Sequence, residues 1–392
     1  MTPYAGFSYF GILLLVVVIP TIVLGLLGKK PKGWLVVATA AMLVVQYAWP
    51  VVGRPESPFW HELATLVIFA AFQCVVALGY GALRARENHK RWFPAFPVLA
   101  LSPMIFSKLL PFDQGGSLIG FVGISYLSFR SIDVLICLRD GTIRDLSSST
   151  FLMFLLFFPT VSSGPLDRYR RFEADWHAPR TASKFLDDLD HAVSCFFTGL
   201  LYKFVFSAII YDRWLGATKD SHEFLPMLSY MYAYSFYLFF DFAGYSAFAI
   251  AFSYLLGIRT PPNFHLPFLA PDIQAFWNRW HISLSHWLRD HVFMRFQLWA
   301  TKRKLLKNPI HTAHVGLLLT FLTMGVWHGL ERHFIAYGLY HGVLQVVHDR
   351  FRRWNKSARV IAETRWARAM GTVLTFQCVC FGFLIFSGHL FR

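Results

Sequence analysis

Charge is scarce in this 392-residue chain. Only 15% of its residues are Asp, Glu, Lys or Arg, against roughly 25% in an ordinary globular domain, which is too few to clothe a soluble surface. Lys, Arg, Asp and Glu are missing altogether from long stretches: Phe7–Gly28, Trp34–Gly53, Leu63–Leu83, Phe93–Ser107, Gln114–Phe129, Leu146–Leu166, Phe224–Phe240, Phe242–Ile258, Asn308–Leu330, His333–His348 and Ala369–Phe391. Alternating segments of about ten residues are lacking too, which argues against a membrane β-barrel. There are five cysteines (Cys74, Cys137, Cys195, Cys378 and Cys380), scattered and odd in number, so they support no disulfide framework and are read as small buried hydrophobes. No repeat of fixed period, low-complexity tract or soluble domain-sized insertion interrupts the pattern. The longest polar interval, Gly164 to His191, fits a cytoplasmic loop with one amphipathic helix. The first apolar run has no basic leader and no small-residue cleavage site after it, so it is expected to be the first anchor.

What is present is hydrophobic: 55% of residues are apolar, 18% are aromatic, and the mean hydropathy is +0.44. A helix needs about 20 residues to cross the hydrocarbon. The runs therefore predict an all-α, polytopic membrane protein of about ten to twelve helices, built as a single domain over residues 1–392. Basic residues outnumber acidic ones by 37 to 22. Lys29, Lys30 and Lys32 follow the first run and Arg84, Arg86, Lys90 and Arg91 the third, whereas Arg54 is the only basic residue between the second and third. The positive-inside rule then predicts an amino terminus outside. Lys302, Arg303, Lys304 and Lys307, and the stretch from Arg350 to Arg368, should face the cytoplasm. Such a face suits anionic lipid headgroups or an acidic soluble partner. Nucleic acid is not indicated, because the basic residues flank apolar helices.

Polar residues inside apolar sequence carry the functional information. Asp241 lies between two apolar runs, either as a buried interaction or at a helix end in the headgroup zone. Segment 271–299, "PDIQAFWNRWHISLSHWLRDHVFMRFQLW", is too polar for a lipid-exposed span and predicts an interfacial segment or a shielded, broken helix. It carries His281, and "GVWHGLERHF" carries His328. No zinc-type spacing joins them. Each is either a satisfied structural histidine or, in a desolvated cavity, a neutral imidazole able to take a proton from a hydroxyl. His286, His291, His333 and His341 lie in the same regions, but helical spacing does not force them into a cavity.

Four segments, "FFPTVSSGPLDRYRRF", "FDFAGYSAFAIAFSYLLGI", "NFHLPFLAPDIQAFWNRWHISLSHWLRD" and "FLTMGVWHGLERHFIAYGLYHG", occur in the order found in the membrane-bound O-acyltransferase family, which the chain resembles from about Phe151 to His348. The resemblance is strongest to the branch that D-alanylates teichoic acids. It implies a ring of helices around a thin centre, with an outer funnel and a tunnel. It also implies a bacterial plasma-membrane location, with His328 and His281 as catalytic residues. By the same resemblance the acyl donor is a thioester on the phosphopantetheine arm of a small acidic D-alanyl carrier protein. The acceptor is a hydroxyl of lipoteichoic acid, and accessory membrane proteins of the pathway are further partners. No cofactor is expected on the chain itself.

A thioester is already activated, so the enzyme must mainly deprotonate a hydroxyl, orient it and stabilise an oxyanion. His328 is the candidate base, with His281, or donors such as Trp280 and Ser285, holding the carbonyl or relaying the proton. Asp241, Asn278 and Trp327 complete the candidate tunnel residues. Lys302, Arg303, Lys304, Leu305, Leu306 and Lys307, with Arg168, Arg170 and Arg171, are candidates for docking carrier or lipid. The alternatives are a polysaccharide O-acetyltransferase of the same family and a transporter or flippase of a lipid-linked polymer.

Overall fold

The computed structural model describes residues 3–48, 60–84, 86, 89–109, 120–218, 223–358 and 364–391. Arg54 lies outside them, as do parts of the runs 34–53 and 114–129 and of the basic stretch 350–368. Among the described residues all repeating structure is helical. In chain order the helices are α1 (Phe7–Leu26), α2 (Lys32–Tyr47), α3 (His61–Leu83), α4 (Lys90–Leu109), α5 (Ile124–Asp140), α6 (Ser148–Leu156), α7 (Tyr169–His177) and α8 (Ala182–Thr218). Then follow α9 (Phe224–Leu255), α10 (Ile273–Trp277), α11 (Ile282–Leu288), α12 (Met294–Lys302), α13 (Pro309–His328), α14 (Arg332–Ala358) and α15 (Arg365–Phe386).

Seven of these, α1, α3, α4, α8, α9, α13 and α15, are long and apolar enough to cross a membrane. The chain is therefore an all-α, multi-pass membrane protein. The crossing helices are fewer than the apolar runs for physical reasons. Runs 224–240 and 242–258 join into the single 32-residue helix α9. The described part of run 34–53 lies in the 16-residue α2, shorter than any of the seven, and run 333–348 belongs to the more polar α14. Asp241 thus sits inside a helix, not at its end, and the Lys203 ammonium meets its carboxylate at 2.6 Å.

The helices gather into two compact units, Met1–Thr198 with Tyr245–Pro261, and Gly199–Gly244 with Pro262–Arg392. In the first, Pro159 and the extended Phe157 stop α6, which would leave carbonyls unpaired in the interior. The buried Arg130 guanidinium on α5 donates to the carbonyls of Phe154, Leu155 and Thr160 and to Thr160 Oγ1 at 2.6–3.0 Å. The polar interval forms the expected amphipathic helix, α7, which buries Tyr169, Phe172 and Trp176. Gly257, at φ +77°, ends α9 in a left-handed turn, and Lys30 donates to its carbonyl at 2.9 Å.

In the second unit α13 and α14 pack backbone against backbone. A Cβ on Gly325 would strike the Phe334 carbonyl, and one on Gly338 would strike the Phe321 carbonyl. A core of Leu215, Tyr230, Met231, Ala233, Cys380 and Leu384 fills the space between α8, α9 and α15. All five cysteines are free, and Cys380 is fully buried.

Candidate functional site

The polar segment 271–299 is a broken helix, as its composition predicts. Asp272 caps α10, its carboxylate accepting from the Ala275 N–H at 2.7 Å. The chain then turns through Asn278–His281, and α11 restarts at Ile282. His281 sits at the break with φ +44°, a backbone region that costs a non-glycine residue of order 1–3 kcal/mol and recurs at functional sites. Two bonds hold it there: the His281 carbonyl accepts from Ser285 N–H, and the Ile282 N–H donates to the Asn263 carbonyl, both at 2.9 Å.

The ring chemistry of His281 follows from one neighbour. Asn263 Oδ1 lies 3.1 Å from His281 Nδ1, and it also accepts from Ser283 Oγ at 2.8 Å and from the Ser283 backbone N–H at 3.4 Å. A backbone N–H can only donate, so the amide atom facing it is the oxygen. Oxygen in turn can only accept, which places the imidazole proton on Nδ1. Nε2 therefore carries the lone pair, and it is buried without a hydrogen-bond partner. Burial, reinforced by the neighbouring His328 imidazole, pushes the His281 pKa down to about 3, so the ring is neutral at physiological pH.

His328 is the last residue of α13. Gly329 must follow, because a Cβ there would collide with the Phe334 ring and the Glu331 carboxylate. Around the His328 ring stand Trp327 at 4.5 Å between centroids, Phe386 at 4.9 Å, Phe334 at 6.0 Å and Tyr337 at 6.2 Å. The Trp327 indole is also 6.4 Å from the His281 ring, and Phe242 closes over that ring at 4.8 Å. Two imidazoles carried 47 residues apart in sequence thus share one tryptophan wall.

A cavity of about 310 Å³ lies between α10, α11, α13 and α14, lined by neighbours of His281 and His328 in sequence but by neither imidazole itself. Arg289, Arg352 and Arg353 stand along it with Asp349, while Trp277, Phe321 and Met324 supply its apolar wall. Met324 is one helical turn before His328, and Asn278 and Ser285 of the cavity wall flank His281 in sequence. Among the described residues no group of three His, Cys, Asp or Glu side chains is placed to hold a metal ion.

The profile of the membrane-bound O-acyltransferase family, MBOAT, matches residues 32–388. The chain belongs to the membrane-bound O-acyltransferase family. It is 41% identical, over 100% of its length and 99% of the relative's, to the teichoic acid D-alanyltransferase of Bacillus subtilis (strain 168). With that of Lacticaseibacillus rhamnosus it shares 36% identity over 100% and 98% of the two chains. The probable alginate O-acetylase AlgI of Pseudomonas fluorescens is 31% identical over 84% of this chain and 65% of its own. The protein is accordingly an O-acyltransferase, which removes the transporter alternative.

Within this acyltransferase the other sequence candidates take different places. Trp280 is 4% exposed and packs among Phe264, Phe276 and Phe383 at 4.7–5.7 Å, so its indole is a wall of the core. Ser285 donates to the Trp280 carbonyl at 3.2 Å. Lys302 ends α12, and Arg303, Lys304, Leu305, Leu306 and Lys307 form the exposed turn after it, with Leu305 and Leu306 both open to the surroundings. In the first unit Arg168 pairs with Asp133 at 2.7 Å and Arg171 with Asp167 and Asp175, while Arg170 is exposed.

Asn263, Phe242 and Tyr337 are residues that sequence reasoning missed. The signal for Asn263 was available: it is a lone amide following Pro261-Pro262 at the head of a segment already singled out. His341, left without a role, is fully buried against Trp277 at 5.1 Å and Tyr337 at 4.7 Å.

Proposed function

We propose that this enzyme transfers a D-alanyl group from the phosphopantetheinyl thioester of a small acidic carrier protein in the cytoplasm to hydroxyls of lipoteichoic acid outside. The observation that carries this reading is the pair of imidazoles on one tryptophan wall, one of them held neutral with a bare Nε2, in a chain 41% identical over its whole length to a teichoic acid D-alanyltransferase.

The acceptor hydroxyl gives its proton to His328 as its oxygen attacks the thioester carbonyl. The C–S bond breaks, the pantetheine sulfur leaves as thiolate and takes up that proton, and an ester remains. His281 has its only N–H committed to Asn263, so it cannot hold the carbonyl oxygen. Its Nε2 instead accepts a hydrogen bond from the hydroxyl or from His328 and so orients that group. A placed base contributes about 10²–10⁴-fold in rate.

In this scheme the arm enters along the cavity, its phosphate beside Arg289, Arg352 and Arg353 and its chain on Trp277 and Phe321. The slim arm crosses while the polymer stays outside. The amino terminus is then outside and the turn at 302–307 inside, where its charges attract the acidic carrier and Leu305 and Leu306 offer it an apolar contact. The 31% likeness to an alginate O-acetylase favours acetyl transfer as the second reading. Purified protein supplied with D-alanyl carrier decides between them. Thioester consumption that requires lipoteichoic acid supports the proposal, and consumption of an acetyl donor alone supports the second reading.

A further inference from the structure

The first unit holds a second cavity that the acyl-transfer chemistry does not use. It is a groove of about 490 Å³ lined by residues of α1, α8 and α9, three helices long and apolar enough to cross a membrane. Every lining side chain is a hydrocarbon or phenyl group. Its lining combines the small residues Gly11, Ala192 and Ala251 with the rings of Phe10, Phe196 and Phe252. Gly11 is exposed, and a Cβ there would meet no atom within 4 Å, so this part of the groove is open space and not a tight helix crossing. Phe197 and Leu14 on the rim are 63% and 49% exposed, so the groove opens sideways to the surroundings of the helices.

One end of the groove is marked by charge. Gly28, at φ +65°, turns the chain after α1 to within ordinary contact of the Ala182 backbone, 3.4 Å from where a Cβ would stand. This sets Lys29, which is exposed, beside the start of α8 and Lys184. Leu189 in the groove is five residues from Lys184, about 7.5 Å along α8 and about 140° around it, with the exposed Asp187 and Asp190 on the same stretch. Lys30 is bound to the Asp175 and Gly257 carbonyls and feels the charge of Lys184. Lys29 and Lys184 form no ion pair with any described residue.

We propose that the groove binds one acyl chain of an anionic glycerophospholipid, with the lipid phosphate on Lys29 and Lys184. Apolar volume open to the bilayer fills with a lipid chain, and basic residues at the end of such a groove select a negative headgroup. The groove shares no lining residue with the cavity near His281 and His328 and does not depend on the donor or acceptor proposed above.

The test is lipid retention by the full-length protein. Protein purified from nanodiscs of phosphatidylglycerol and phosphatidylcholine in equal parts is exchanged into detergent, and bound lipid is measured by native mass spectrometry. The parent should retain phosphatidylglycerol in preference to phosphatidylcholine. Gly11→Trp, which fills open space, should lose the bound lipid, with Gly11→Leu as a milder filling variant. Lys29→Gln with Lys184→Gln should keep lipid but lose the preference between headgroups. Equal retention of the two lipids by the parent, or undiminished phosphatidylglycerol on both Gly11 variants, would overturn the proposal.

Discussion

Asn263 Oδ1 lies 3.1 Å from His281 Nδ1 and 2.8 Å from Ser283 Oγ, so a single buried amide oxygen fixes both the tautomer of the imidazole and the start of the helix beyond it. Removing that oxygen frees the ring to rotate and to carry its proton on Nε2. Asn263→Ala should lower transfer by about 10²-fold, the lower end of what a positioned base contributes. Asn263→Asp keeps an acceptor at the same place and should recover most of the loss. Steady-state transfer rates for the two variants check this, and equal damage from both would remove the tautomer argument.

The glycine contact between α13 and α14 sets where His328 stands. Gly338→Ala places a methyl against the Phe321 carbonyl and must push the helices apart. Overpacking of this kind typically costs about 1–3 kcal/mol. A lowered thermal midpoint with reduced activity is expected, measured on detergent-purified protein. An unchanged midpoint would show that the contact is looser than described.

Arg130 supplies four hydrogen bonds to the end of α6 and the turn after it. Arg130→Met leaves three buried carbonyls without that donor, and each orphaned group costs about 1–3 kcal/mol. Folded yield should fall sharply in size-exclusion chromatography, without any need to invoke the chemistry.

Burial holds the Lys30 pKa at about 8, below its ordinary 10.5. The native protein therefore releases this proton before the unfolded chain does. Between pH 8 and 10.5 the unfolded state binds more protons, so Lys30 contributes a rise in stability with pH across that window. Lys30→Met should remove this contribution, read as a flatter dependence of the thermal midpoint on pH. An identical slope in parent and variant would place Lys30 in water.

Much of this organisation is legible in the sequence, for identifiable reasons. Membrane spans follow from apolar length, because a helix of about 20 apolar residues crosses the hydrocarbon with its backbone groups satisfied internally. The break at His281 was foreshadowed by polar residues that no lipid-facing helix tolerates. The fusion of runs 224–240 and 242–258 was not legible, because Asp241 interrupts the apolar pattern and its partner Lys203 lies 38 residues away in another helix. The same limit hid the bonding of Arg168, whose partner Asp133 lies 35 residues away, whereas the pairs of Arg171 with Asp167 and Asp175 have i,i+4 spacing and could have been read from the sequence. Asn263 was hidden because an amide acquires meaning only from the ring it faces.

The exposed turn at 302–307 predicts the behaviour of the donor. Binding of the acidic carrier should weaken as salt rises from low to physiological ionic strength, since exposed charges are screened beyond about 8 Å at 0.15 M. Isothermal titration at two salt concentrations measures it. Leu305→Asp with Leu306→Asp should abolish the residual affinity at high salt, and salt-independent binding would leave the basic residues to the lipid.

The most direct test is single-site removal of the base. His328→Ala should remain folded, with a thermal midpoint near that of the parent, and should lose carrier-dependent D-alanylation of lipoteichoic acid by at least about 10²-fold. Transfer within about threefold of the parent, far less than the loss of a base entails, would contradict a catalytic role for His328.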